Sequence, residues 1–181
     1  MRSDLPDGVG FREIEMHSDE RGTFSEIFRR EWGTGIDPVQ WNVARSEPGV
    51  LRGVHVHVRH ADYLVIVDGT ATIGLRDLRS GSSTEGHSAA ITMEGKNLAA
   101  LVIPPGVAHG FLFHSQTMHV YAVSHYWDLN DEHGCHWADP DLQIDWPFAP
   151  SMVSPRDAEA GSLSEMLATI QPFQPIGRSS G

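Results

Sequence analysis

Residues 49–69 read GVLRGVHVHVRHADYLVIVDG. Val50, Leu51, Val54, Val56, Val58 and the run from Leu64 to Val67 are strand formers. Set among them are Arg52, His55, His57, Arg59, His60, Asp62 and Tyr63. Alternate side chains of a strand share a face, so His55 and His57 point one way and Val54, Val56 and Val58 the other. One face buried in valine and the other carrying two imidazoles is more than packing requires. In a barrel, those imidazoles are expected to look into the lumen.

The same alternation continues on both sides. Residues 11–17 read as a strand, Asp19-Glu20-Arg21-Gly22 as a turn, and Thr23 to Phe28 as a second strand. Residues 40–46 put Gln40, Asn42, Ala44 and Ser46 on one face and Trp41, Val43 and Arg45 on the other, a polar face suited to lining a pocket. Beyond the Asp68-Gly69 turn, strands are expected over 70–78, 87–93, 98–103, 109–113 and 119–126. Short strands at this spacing, divided by Gly/Pro turns, indicate an all-β sandwich or barrel. Two segments read as helical. One is 162–169, where Ser162 and Glu165 form a capping-box pattern; the other is a short turn around 154–160. The whole chain, 1–181, reads as a single domain with an ordered core from about residue 10 to about 165, and 177–181 as a flexible tail.

Apolar residues make up 40% and charged residues 20% of the 181, a globular composition. The net charge of −11 argues against nucleic acid or an anionic membrane as partner. Cys135 is the single cysteine, so an intrachain disulfide is excluded and a reducing compartment is compatible. With no 18-residue apolar run and no basic-plus-apolar start, the expected location is the cytoplasm. Lys96 is the single lysine and falls in a turn-like stretch.

Gly49, His55, His57, Asp62 and Gly69 on one side, and Pro104-Pro105-Gly106-Val107-Ala108-His109 on the other, resemble the two motifs of the cupin superfamily. From about residue 10 to about 165 the chain resembles one family of cupins, the dTDP-4-dehydrorhamnose 3,5-epimerases. The matching signposts are Asp19-x-Arg21-Gly22-x-Phe24-x-Glu26, Gln40-x-Asn42, Gly49 to His55, Asp77-Leu78-Arg79-x-Gly81-Ser82-x-Thr84, Ala108-His109-Gly110-Phe111, Tyr121, Asp139-Pro140, Trp146-Pro147 and Arg156-Asp157. The resemblance implies a cupin-type jelly-roll β-barrel with a short C-terminal helix. It implies epimerisation of a dTDP-4-keto-6-deoxyhexose at C3, C5 or both, without a cofactor, through an enolate. His55 is then the base, Asp157 the carboxylate that orients it, and Tyr121 the acid. Arg52 would face the pyrophosphate or the keto oxygen, and Trp127 would stack on the nucleotide base. Gln40, Asn42, His57 and His109 complete the expected substrate contacts. Arg21, Phe24 and Glu26 would reach the site of a partner subunit in a homodimer with exchanged N-terminal strands.

Two positions depart from the family. His57 stands where the family commonly has Gln, and Asp62 where it has an active-site Lys. A carboxylate repels the enolate charge that the Lys is thought to hold. Other readings therefore remain open: a metal-binding cupin holding one divalent ion through His55, His57, Asp62 and His109, a nucleotide-sugar 3,4-ketoisomerase, or a non-catalytic nucleotide-sugar binder. A binder needs no His55–Asp157 pair, so the distance between these two residues separates binding from catalysis.

Overall fold

The structure, a computed structural model, describes residues 4–170; the tail expected at 177–181 lies outside them. The central run folds as two strands joined by a connection at 57–61. In chain order the strands are β1 (Gly10–Glu13), β2 (His17–Asp19), β3 (Gly22–Phe24), β4 (Gln40–Ser46), β5 (Val50–Val56), β6 (Asp62–Asp68), β7 (Thr70–Asp77) and β8 (Ser88–Glu94). There follow β9 (Ala99–Ile103), β10 (Val107–Phe113), β11 (Thr117–Val123), β12 (His133–Gly134) and β13 (Met152–Val153), then helices α1 (Pro155–Ala158) and α2 (Leu163–Thr169). One sheet has the order β1-β9-β6-β11-β4, and the other β12-β5-β10-β7-β8 with β13 beside β5. Hairpin β2–β3 stands apart as a two-stranded sheet.

Alternation decides what each face meets. In β6, Leu64 and Ile66 turn inward, as do Leu101 and Ile103 of β9. They pack on Ile73 and Leu75 of β7, Ile91 of β8 and Phe113 of β10, filling the space between the sheets. The odd residues of β6, Tyr63 and Val65, face out beneath Ile14 and Ile36. In β5, Val54 and Val56 face outward onto Cys135, Leu142 and the α2 residues Leu163 and Met166. The valine face of the central run thus seats the C-terminal helix, and its histidine face is left for the lumen. Each fully buried aliphatic side chain contributes about 1.5–3 kcal/mol. At the turn into β7, Gly69 has φ +82°, and a Cβ there would meet the Cα of Thr117 at 2.8 Å.

The expected strands agree with the observed ones to within a few residues, with two exceptions. The strand expected over 11–17 ends at Glu13, and His17 opens β2 in a separate sheet. The strand expected over 23–28 ends at Phe24. Ile27 gives its carbonyl to the Tyr63 hydroxyl, and Phe28 turns onto Trp41 and Tyr63 in edge-to-face contacts at 5.5 and 5.3 Å. These tertiary contacts outweigh local alternation. The α2 capping box forms as read, with Ser162 accepting from the Glu165 amide and Glu165 from the Ser162 amide. Among the described residues no helix is long and apolar enough to cross a membrane.

Candidate active site

His55 sits on β5 between two neighbouring strands, with His109 of β10 beside it on one side and Gly134 of β12 on the other. Its imidazole Nε2 lies 2.7 Å from Asp157 Oδ1. Asp157 belongs to α1, a single turn opened by Pro155 and capped by Ser154, whose hydroxyl accepts the Asp157 amide at 3.1 Å. The other carboxylate oxygen accepts the Gly53 amide at 3.3 Å. Burial by itself raises the Asp157 pKa. The hydrogen bond and charge of His55, with the Gly53 and Ser154 contacts, outweigh that and hold it below the usual range. The group is a carboxylate fixed against an imidazole.

Tyr121 comes from the opposite sheet, on β11, with Asn42 of β4 and Leu64 of β6 beside it. Burial raises its pKa, and the nearby Asp62 and Glu132 raise it further, so the phenol keeps its proton. Gln40 and Asn42 share the inward face of β4, joined by a 2.9 Å hydrogen bond. Arg52 donates to Ser46 Oγ at 3.0 Å and is solvent-exposed. The backbone amide of Trp127 donates to Gln40 Oε1, placing the exposed indole at this rim.

His57 and His109, expected among the substrate contacts, are both buried, and their Nε2 atoms each lie 3.8 Å from Asp62 Oδ2. Arg21, Phe24 and Glu26 lie exposed on and just after the β2–β3 hairpin, where Arg21 pairs with Asp19 and Glu26 with Arg29. Of the metal set His55, His57, Asp62 and His109, the ligand atoms of His57 and Asp62 fall together with those of His60 within 4.8 Å of one another, while His55 Nε2 lies 2.7 Å from Asp157 Oδ1.

Sequence reasoning missed Asp131 and Glu132. Asp131 is buried and accepts the amides of Val58 and Arg59 at 2.9 and 3.2 Å, and it faces His60 Nδ1 at 3.1 Å. It therefore anchors the β5–β6 connection. Glu132 Oε2 meets Arg156 at 3.2 Å, and Oε1 lies 3.4 Å from His57 Nδ1. Two adjacent carboxylates between β11 and the His133–His136 stretch were the available signal. Burial pushes His57 and His109 down to about 3, helped by neighbouring imidazoles, and lowers His60 despite Asp131. It pushes Asp62 well up, as do Glu132 and Asp131.

The profile of the dTDP-4-dehydrorhamnose 3,5-epimerases matches residues 4–165. The chain belongs to that family. A dTDP-4-dehydrorhamnose 3,5-epimerase of Pseudomonas aeruginosa is 32% identical over 173 residues, spanning 89% of this chain and 93% of the relative. The dTDP-6-deoxy-D-glucose-3,5-epimerase of Legionella pneumophila, solved in complex with dTDP-4-keto-L-rhamnose, superposes with a TM-score of 0.85 at 32% identity over 93% of this chain and 95% of its own. A double mutant of a 3'-monoepimerase from Streptomyces bikiniensis, in complex with dTDP, superposes with a TM-score of 0.86 at 33% identity over 96% and 94%. The 3,5-epimerase family is one of isomerases, and its cupin jelly roll is the fold described above.

Proposed function

We propose that this chain epimerises a dTDP-4-keto-6-deoxyhexose at C3, C5 or both, with His55 as base and Tyr121 as acid. The observation that carries the reading is the 2.7 Å contact between His55 and Asp157. A module that only bound a nucleotide sugar would have no use for it. With Nε2–H donated to Asp157, the lone pair is on Nδ1. That nitrogen takes the proton from the carbon beside the ketone, and the C–H electrons move into the enolate. Asp157 stabilises the imidazolium. Tyr121, from the opposite wall, gives its proton to the other face of the same carbon; solvent then reprotonates the phenolate and takes the proton from the imidazolium.

The same reading makes the enzyme a homodimer. Among the described residues hairpin β2–β3 pairs with no other strand, and isolated hairpins are marginal in water. The outer face of edge strand β4 exposes Trp41 and Val43, with Val39 just before it. A second copy covering this face would bring Arg21, Phe24 and Glu26 to a neighbouring pocket. A cytoplasmic location accords with the lone buried thiol of Cys135.

The test is NMR of dTDP-4-keto-6-deoxyglucose with the protein in D2O, following deuterium at C3 and C5. Wild type is expected to label one or both carbons. His55→Ala is expected to lose exchange by about 10²-fold or more, and Tyr121→Phe to slow epimerisation while exchange persists. Full activity in the His55 variant would remove the assignment.

A further inference from the structure

Three imidazoles surround Asp62 inside the barrel, and proton transfer by His55 and Tyr121 uses none of them. Their Nε2 atoms face its carboxylate at 3.8 Å for His57, 3.9 Å for His60 and 3.8 Å for His109. These separations are too long for hydrogen bonds. The opposite nitrogen of each ring is held by an acceptor. His57 Nδ1 lies 3.2 Å from the Asp131 carbonyl, His60 Nδ1 3.1 Å from the Asp131 carboxylate, and His109 Nδ1 3.1 Å from the Val107 carbonyl. Those acceptors fix the Nδ1–H tautomer and leave three Nε2 lone pairs close to one carboxyl group. Acceptors facing an acceptor repel, and a single proton on Asp62 relieves one contact of the three. A cation among them relieves all.

We propose that His57, His60 and Asp62, with His109 as the fourth donor, bind one divalent cation of the borderline class that includes Zn²⁺ and Co²⁺. Ligand atoms of His57, His60 and Asp62 already lie within 4.8 Å of one another, and all three residues are buried. Tetrahedral bonds of about 2.0–2.1 Å need ligand atoms about 3.4 Å apart, so the contacts to Asp62 must tighten by a few tenths of an ångström. The His57 and His60 rings, both near the connection that Asp131 anchors, are stacked with centroids 4.0 Å apart and planes at 24°, so one ring must turn about its Cβ–Cγ bond for both in-plane lone pairs to meet one ion. Imidazoles held by carboxylate or carbonyl partners are the usual support of such a centre. The donor set differs from the one read from motif spacing: His60 enters and His55 stays with Asp157. The inference stands apart from the epimerase reading, since it concerns the resting protein.

The experiment is a titration of chelator-stripped full-length protein with Co²⁺, followed by visible absorption, with Zn²⁺ as competitor and metal analysis after equilibrium dialysis. One equivalent of Co²⁺ with a tetrahedral d–d band, displaced by Zn²⁺, is expected. Asp62→Asn and His60→Gln should each weaken binding by about 100-fold or more, while His55→Asn binds as wild type does. Circular dichroism checks that each variant is folded. Should His60→Gln fail to fold, His60→Cys decides, because a ligating sulfur adds a charge-transfer band and a structural one does not. Absence of stoichiometric Co²⁺ and Zn²⁺ binding overturns the proposal. So does loss of metal in His55→Asn with retention in His60→Gln, or a folded His60→Cys–Co²⁺ complex without the sulfur band.

Discussion

At the scale of single residues, His55, the proposed base, is positioned as much by what is missing beside it as by what is present. A Cβ at Gly134 would lie 3.1 Å from His55 Cδ2 and 3.3 Å from the Val54 carbonyl. Gly134→Ala therefore pushes on the ring from the side away from His109. A lateral shift of the base is expected to lower kcat by about tenfold to a hundredfold, while the melting temperature moves little because the methyl adds slight volume. Steady-state rates beside a thermal melt check this, and an unchanged kcat would show that the ring position is uncritical. His55 itself was legible from its spacing to Gly49 and His57. His60 was present in the same run and was legible only as one of several candidates, with Arg52, His57 and Arg59, for holding the enolate charge, because period-two alternation describes strands and His60 lies on a connection. Asp131 and Glu132 approach from more than seventy residues away through an irregular segment. No local pattern carries such a contact.

At the scale of elements, the loop after β7 is organised by one carboxylate. Asp77 Oδ1 accepts the Arg79 amide and Nε, and Oδ2 accepts Arg79 Nη2 and the hydroxyls of Ser82 and Thr84. Burial alone raises the Asp77 pKa, but the bonds from Arg79, Thr84 and Ser82 bring it down to about 2. A depressed carboxyl contributes stability that is complete above its unfolded pKa of about 3.9 and is lost as pH falls through the folded value of about 2. Asp77→Asn is expected to destabilise by about 2 kcal/mol at neutral pH, toward the low end for a buried pair because Arg79 keeps contact with solvent. The difference from wild type should shrink between about pH 4 and pH 2. Denaturant melts across that range check the sign, and a constant difference would contradict it. This loop was legible as a string of signposts, Asp77 to Thr84, without its geometry. The strands were legible because each sits half-buried between core and outer layer, which writes a period of two into the sequence. The 23–28 segment was misread because Phe28 owes its place to Trp41 and Tyr63, far off in the chain.

At the scale of the molecule, the two sheets face different surroundings. The six-stranded sheet is roofed by α2 and the segment around Leu142, whereas β4 of the other sheet leaves Val43 67% exposed. The proposed dimer through that face is expected to give a two-subunit mass in light scattering at micromolar concentration. Val43→Glu, which alters no contact of the aromatic cluster, is expected to yield monomers with weakened dTDP binding, since the hairpin no longer reaches a neighbouring pocket. A monomeric wild type would refute this arrangement. The whole-chain charge was readable from composition, but this apolar face was not, because exposure depends on which edge the strand occupies. The roof itself has a further consequence. Cys135 is 1% exposed beneath α2, next in the chain to Gly134 at the side of His55, and burial lifts its thiol to about 12. A thiol in that state is inert to alkylating reagents until the helix lifts. Its rate of labelling is therefore a clock native to the chain, timing how often the back wall of the active site opens.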